Sequence, residues 1–219
     1  MAEYTLVIGN KNYSSWSLRG WLAARLAGID FTERLVRLSE PGSRETLLAH
    51  SPAGKVPVLR HGERVIWDSL AIIEYLAEQR PDALLWPADP AARAHARSIT
   101  AEMHAGFAAL RSHMPMNLRR SLPGKGQGPG VAADIARVVA IWQDCRQRSG
   151  DRAGPFLFGA PSAADAMYAP VATRLRTYGV ALDPTAAAYV ETIHAWPLLR
   201  EWHAAALEEP WIIAEDEVD

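Results

Sequence analysis

Four groups of residues have the types and spacing that chemistry uses. The first is Tyr13-Ser14-Ser15-Trp16-Ser17-Leu18-Arg19. It follows a short apolar run, Tyr4-Thr5-Leu6-Val7-Ile8, that reads as a strand. It precedes a helical pattern, Leu18, Leu22, Ala23 and Leu26, that stops at Gly28. The serines therefore sit where a strand turns into a helix. A serine there caps the helix, because its hydroxyl accepts from an orphan backbone N–H. The same hydroxyl, beside the positive end of the helix dipole, can also stabilise an anion. Ser14 and Ser15 carry both readings at this point.

The second group is Lys55-Val56-Pro57, which opens an apolar run. Proline cannot donate to a ladder, so it belongs at an edge, a bulge or a first residue. A cis Val56–Pro57 bond would turn the Val56 N–H and C=O outward, where an extended peptide could pair with them. The third is Asp68-Ser69, at the head of a strong helical pattern in which Ile72, Ile73, Leu76 and Ala77 share one face. The fourth is Ser162-Ala163-Ala164-Asp165, a capping box with Asp in place of Glu. That role accounts for Asp165 without catalysis. Cys145 falls on an apolar stripe and reads as an inert core thiol. His95, His104 and His113 are each nine apart, so successive ones face opposite sides of a helix, and no metal site is expected. Met103, His104, Phe107, Arg111 and Met116 could line a pocket above Ser14; the alternative for most of them is helix packing.

The elements that must position these groups follow in order. Residues 31–36 read as a second strand, and strand–helix–strand in so few residues makes a parallel βαβ unit. A short polar helix over 43–50 is followed by a hairpin, 56–60 and 64–67, around His61-Gly62-Glu63. The Asp68 helix then ends at Pro81. The order is that of a thioredoxin-like half-domain, which places one domain at 1–81. Leu84 to Asp89 reads as a linker, and Asp89-Pro90 as a helix start. From Ala92 through Met103 and Phe107 to Met114 the apolar stripe predicts one long helix. Residues 123–130, rich in Gly and Pro, predict an exposed loop. Helices are predicted around Ile135–Cys145, from Ser162, over 184–194 and over 197–207. The second domain, 89–219, is thus expected to be all-helical, and the fold class is α/β plus all-α.

The chain has 219 residues, 49% of them hydrophobic, enough for two small domains with real cores. A net charge of −2 leaves no basic footprint for nucleic acid. No apolar run approaches a membrane span, and no charged-then-apolar leader is present, so a cytoplasmic protein is expected. A single cysteine makes neither an intrachain disulfide nor a C-x-x-C redox pair.

Taken as a set, Ser14-Ser15-x-Ser17-x-Arg19, Lys55-Val56-Pro57, Asp68-Ser69 and Ser162-x-x-Asp165 resemble the cytosolic glutathione transferases across essentially the whole chain. The Ser-Ser-x-Ser-x-Arg segment is most similar to the zeta class, which includes maleylacetoacetate isomerases. The resemblance implies glutathione as co-substrate, an electrophilic small molecule as partner, a detoxifying transferase activity and a homodimer. It implies Ser14 as the thiol-activating residue, with Ser15 as alternative or second donor. It implies Val56, behind Pro57, as the backbone partner of the cysteinyl unit, Asp68 and Ser69 at the γ-glutamyl end, and Lys55 near the glycyl carboxylate. Trp16, Met103, His104, Phe107, Arg111, Met116 and Arg174 are the implied second-substrate pocket. Two departures matter. The zeta class usually has Cys where Trp16 stands, so a mixed-disulfide mechanism is not expected. It also carries an arginine where this chain has Thr177, with Arg174 and Arg176 nearby. A glutathione-dependent isomerase and a non-catalytic binding protein of the same fold are the alternatives.

Overall fold

The structure is a computed structural model describing residues 3–150 and 154–218. Its first half is built on a four-stranded sheet in the order β2-β1-β3-β4. Strands β1 (Tyr4–Ile8) and β2 (Phe31–Leu35) are parallel, with Tyr4 opposite Phe31, and helix α1 (Ser15–Leu26) is the crossover between them. Gly28, at φ +63°, takes the left-handed turn from helix to strand, a conformation in which a side chain would be strained. A short helix, α2 (Ser43–Leu48), leads to the hairpin of β3 (Val58–His61) and β4 (Arg64–Trp67). β3 runs antiparallel to β1 and β4 antiparallel to β3. Helix α3 (Ser69–Gln79) closes the unit by packing against α1.

Two elements depart from the expectation. Strand β3 begins at Val58 rather than Val56. Pro57, with no N–H to give the ladder, stands just outside it, and the Val56–Pro57 bond is cis. Pro57 packs on α1 at Gly20, where an added Cβ would lie 2.8 Å from its ring.

The second departure is in the helical half. The stripe from Ala92 to Met114 is carried by two helices, α4 (Pro90–Ala105) and α5 (Ala108–His113). Gly106 is extended and Phe107 left-handed at φ +59° between them. Periodicity could not register the break, because Met103, Phe107, Leu110 and Met114 are buried in one core on both sides of it. The Gly106 carbonyl that the break frees accepts from the Arg111 guanidinium.

Residues 123–130 connect α5 to α6 (Val131–Ser149) without regular structure. Helices α7 (Ala163–Thr177), α8 (Pro184–Ala195) and α9 (Pro197–Leu207) complete the chain. α7 is buried along almost its whole length and packs against α1, α4 and α8. One apolar cluster runs from Leu6 and Ile8 in the sheet through Leu18 and Leu22 to Met167, Trp142 and Trp202. The helix that carries the serines is thus clamped between the sheet and the helical half.

Candidate active site

The chain reaches α1 through a turn in which the Asn10 carbonyl accepts from the N–H groups of Tyr13 (3.2 Å) and Ser14 (2.8 Å). Ser14 is the N-cap: its Oγ accepts from the Ser17 N–H at 3.2 Å and lies 2.7 Å from the Ser17 hydroxyl. Ser17 Oγ in turn accepts from the Gly9 N–H at 2.9 Å. The Ser14 hydroxyl donates to Ser17 Oγ, and turning that O–H away from Ser17 would release the Ser14 proton for a ligand. The Trp16 N–H has no backbone acceptor among the described residues. That is the orphan donor a helix start leaves.

Ser15 is held differently. Its Oγ accepts from Arg174 Nη2 at 3.2 Å, and its own proton has no acceptor among the described residues. Arg174 reaches it from α7, anchored by Nε donating to the Met114 carbonyl at 2.7 Å. Burial, aided by repulsion from Arg111, lowers the Arg174 guanidinium to about 10, which leaves it charged at neutral pH. Arg19 is fully buried and lies 4.4 Å from the Trp16 ring centroid. Its Nε donates to the Met167 carbonyl at 3.0 Å, while both terminal nitrogens lack a hydrogen-bond partner among the described residues. Burial, then Arg174 and Arg111, push its pKa well down. Arg111 approaches the same Trp16 ring at 5.7 Å. Among the described residues none of the three forms an ion pair with a carboxylate, and their mutual repulsion is relieved by any anion placed among them.

Ser14, Ser15, Trp16, Arg111 and Arg174 open onto a cleft of about 480 Å³, with Ser17 and Arg19 buried behind it. Ser14, Ser15 and Trp16 line it from α1, Lys55 and Val56 from the loop before β3, and Arg111, Met116 and Arg174 from the helical half. Neither backbone polar group of Val56 is hydrogen-bonded to the described backbone. Asp68 and Ser69 stand apart from this lining, at the start of α3. Asp68 Oδ1 accepts from the Leu70 N–H at 3.0 Å and lies 2.7 Å from His104 Nε2. The His104 ring meets Trp16 edge-on at 5.4 Å, which links the α3 start to the cleft. Met103 is wholly buried and Phe107 nearly so, both within the core and neither on the cleft wall.

Sequence reasoning gave Tyr13 no role beyond its place in the first motif and did not find Leu38, Leu47, Gly54, Pro115 or Asp216; all six line the cleft. Asp216 belongs to the C-terminal segment. The Tyr13 hydroxyl donates to Glu217 Oε1 at 2.6 Å, and Arg119 donates to the Trp211 carbonyl (2.7 Å) and to the Tyr13 hydroxyl (2.9 Å). Burial raises the Asp216 carboxyl and nearby Arg174 opposes that shift. The acidic run Glu215-Asp216-Glu217 was its only signal in the sequence.

The remaining candidates have structural settings. Asp165 is buried and accepts from the N–H groups of Leu157 (3.1 Å) and Ser162 (2.9 Å) and from the hydroxyls of Ser162 (2.8 Å) and Tyr189 (3.0 Å). Burial pushes the Cys145 thiol up to about 12, so it carries no thiolate at neutral pH. No group of three metal-ligating side chains occurs among the described residues.

Comparison with known proteins places the family and the fold. The family model "Glutathione S-transferase, N-terminal domain" matches residues 13–79, and "Glutathione S-transferase, C-terminal domain" matches 90–205. The maleylacetoacetate isomerase of Pseudomonas aeruginosa is 31% identical over 205 residues, 88% of this chain and 92% of that protein. A probable maleylacetoacetate isomerase of Caenorhabditis elegans is 40% identical over 98 residues, and that match spans 45% of each protein. Among solved structures, a Burkholderia glutathione transferase homologue with bound glutathione shares the fold at a TM-score of 0.70 and 24% identity, covering 94% of this chain and 98% of that one.

Proposed function

The chain belongs to the glutathione S-transferase family, and on that premise we propose that its Ser14–Ser15 cleft lowers the pKa of the glutathione thiol and presents the thiolate to an electrophilic small molecule. The observation that carries the reading is the convergence at one helix start of two hydroxyls, one donating only to its neighbour Ser17 and one with its proton unused, an orphan N–H and a guanidinium with no carboxylate partner among the described residues. Glutathione is the family's co-substrate and supplies the nucleophilic sulfur.

The residues present fit it. Val56 offers an unpaired N–H and C=O at the cleft edge for the cysteinyl backbone. Lys55 supplies positive charge for the glycyl carboxylate. Ser69, at the N-terminus of α3, receives the γ-glutamyl carboxylate, and Asp68 the ammonium. His104 holds the Asp68 carboxylate in place.

Magnitudes support this division of labour. A free thiol with a pKa of about 8.5 is roughly 3% thiolate at pH 7. Making thiolate dominant needs a shift of about two units, or roughly 2.7 kcal/mol. One charge-assisted hydrogen bond contributes about 1.5–3 kcal/mol, so Ser14 with the helix dipole is sufficient. Ser15, bonded to Arg174, is the second donor.

A second reading has its own support. The Arg111 and Arg174 guanidiniums, which line the cleft and are paired with no carboxylate among the described residues, suit a substrate that brings its own carboxylates. A relative 31% identical over most of the chain carries the name maleylacetoacetate isomerase. We therefore propose carboxylate-bearing electrophiles as the preferred class, with isomerisation as the variant in which the thiolate is released again.

We further infer that residues 1–81 bind glutathione and 89–219 wall the second substrate. The protein works as a cytoplasmic homodimer in detoxification, with Trp67, 43% exposed on edge strand β4, as an apolar patch for the second copy to cover.

The test is a calorimetric titration with glutathione, followed by an ultraviolet pH titration of the bound thiol. A thiol pKa near 6–7, about two units below the free value, is expected. No binding, or a bound thiol still near 8.5, would overturn the transferase reading in favour of a binding protein.

A further inference from the structure

The C-terminal segment brings one acid to a wall of bases. Beyond α9 the chain returns to the turn that leads into α1. Glu209 anchors it at one end: Oε1 accepts from the Lys11 N–H at 2.7 Å and Oε2 from the Asn12 N–H at 3.1 Å. Glu217 anchors it at the other. Its Oε1 accepts from the Tyr13 hydroxyl at 2.6 Å and from Asn117 Nδ2 at 2.9 Å, and its Oε2 from Arg120 at 3.2 Å. Between the anchors Ile213 is buried, and Ala214–Asp216 forms a single 3-10 turn. Asp216 is therefore held in place by bonds that its own side chain does not make.

Among the described residues that line the Ser14 cleft, Asp216 is the one carboxylate, and Arg111 and Arg174 are the guanidiniums. The Asp216 carboxyl makes no hydrogen bond or ion pair among the described residues. Burial raises it, and Arg174 favours its charged form. Arg111 spends only Nη1, on the carbonyls of Met103 (3.5 Å) and Gly106, and its other two nitrogens make no hydrogen bond among the described residues. This wall thus carries two positive charges and one negative charge, with no contact between opposites. A substrate carboxylate placed by the guanidiniums is attracted. A second carboxylate on the same small molecule is brought towards Asp216, where it loses hydration and meets a like charge.

We propose that Asp216 is a specificity-determining residue that sets the charge of the electrophile: with Arg111 and Arg174 it selects a monocarboxylate and turns away a dicarboxylate. The inference rests on the thiolate-transfer reading above and narrows it. Lys55 does not alter the count, because in that reading the glycyl carboxylate of glutathione takes it.

The test uses one carbon skeleton at three charges: diethyl fumarate, monoethyl fumarate and fumarate. In each, the glutathione thiolate forms a C–S bond to one alkene carbon, and the other carbon takes a proton from water. Rates are divided by the uncatalysed rate with free glutathione, which removes intrinsic reactivity. The monoester should show the largest acceleration. Asp216→Asn should raise the acceleration of fumarate relative to the monoester by about tenfold. Glu215→Gln removes an exposed acid that does not line the cleft and should leave that ratio unchanged. Calorimetry with the purified glutathione adducts of fumarate and of the monoester gives a readout without turnover. Asp216→Asn should shift their relative affinity towards the diacid adduct by a similar factor. A ratio within about twofold of wild type in both measurements would overturn the proposal, as would an equal shift in Glu215→Gln or a wild-type preference for fumarate. Any of these, with glutathione still bound, leaves the thiolate reading standing. If glutathione binds without turnover, the adduct affinities alone decide. If neither glutathione nor any adduct binds, both readings fall together.

Discussion

Helices α1 and α7 are each N-capped by a serine, and their starts differ in what they leave over. At α7, Ser162 and Asp165 close a box in which the acid accepts from four donors and the Ser162 hydroxyl proton is spent on the acid. At α1, Ser14 caps the Ser17 N–H, yet the Trp16 N–H and the Ser15 hydroxyl proton remain to be used, and the Ser14 proton goes only to the neighbouring Ser17 hydroxyl, from which it can turn. Both starts borrow the same local rule of capping. The satisfied start holds a fold together, and the unsatisfied one can bind an anion. Leftover hydrogen-bonding capacity beside solvent, rather than the presence of a serine, separates a structural cap from a chemical one.

The sharpest way to break the comparison is at the satisfied end. Asp165→Ala leaves four buried donors without an acceptor and should cost about 3–5 kcal/mol of stability, read by denaturant unfolding. Whatever protein remains folded should bind glutathione as before. A loss below about 1 kcal/mol would mean that the box is not what holds α7 in place.

At the unsatisfied end the effect should appear in rate. Ser14→Ala should lower turnover of an electrophile at neutral pH by about ten- to a few-hundredfold, from about 1.5–3 kcal/mol of lost charge-assisted bonding. The deficit should shrink as pH rises past about 8.5, because the free thiol is then ionised without help. The stability cost should be only about 1 kcal/mol, that of a lost cap. Ser15→Ala should cost less rate; if it costs more, Ser15 with its Arg174 partner is the principal donor.

The smallest effect is expected at the start of α3, which mixes the two behaviours. Asp68 caps Leu70 and also contacts His104. Asp68→Ala should weaken glutathione binding several-fold by leaving the ligand's ammonium unpartnered. His104→Gln should weaken it less, since the carboxylate itself stays. Calorimetry decides, and unchanged affinity in the Asp68 variant would remove α3 from the binding site.

Local features were legible in the sequence. The strands, the Ser14, Asp68, Asp89 and Ser162 caps and the βαβ order rest on interactions between near neighbours, and periodicity and residue type encode those. The resemblance to glutathione transferases was carried by the same local motifs. The break at Gly106–Phe107 was not legible, because the stripe Met103–Phe107–Leu110–Met114 faces one core whether or not the helix is continuous. Nor was the electrostatic character of the cleft. Arg174 reaches Ser15 across 159 residues of chain, and Asp216 arrives from a C-terminal segment with no regular pattern. Which hydrogen-bonding groups are left unused is set by everything packed around them. The sequence determined where the serines stand, and only the tertiary structure decided that those at α1 keep donors to spare while those at α7 keep none.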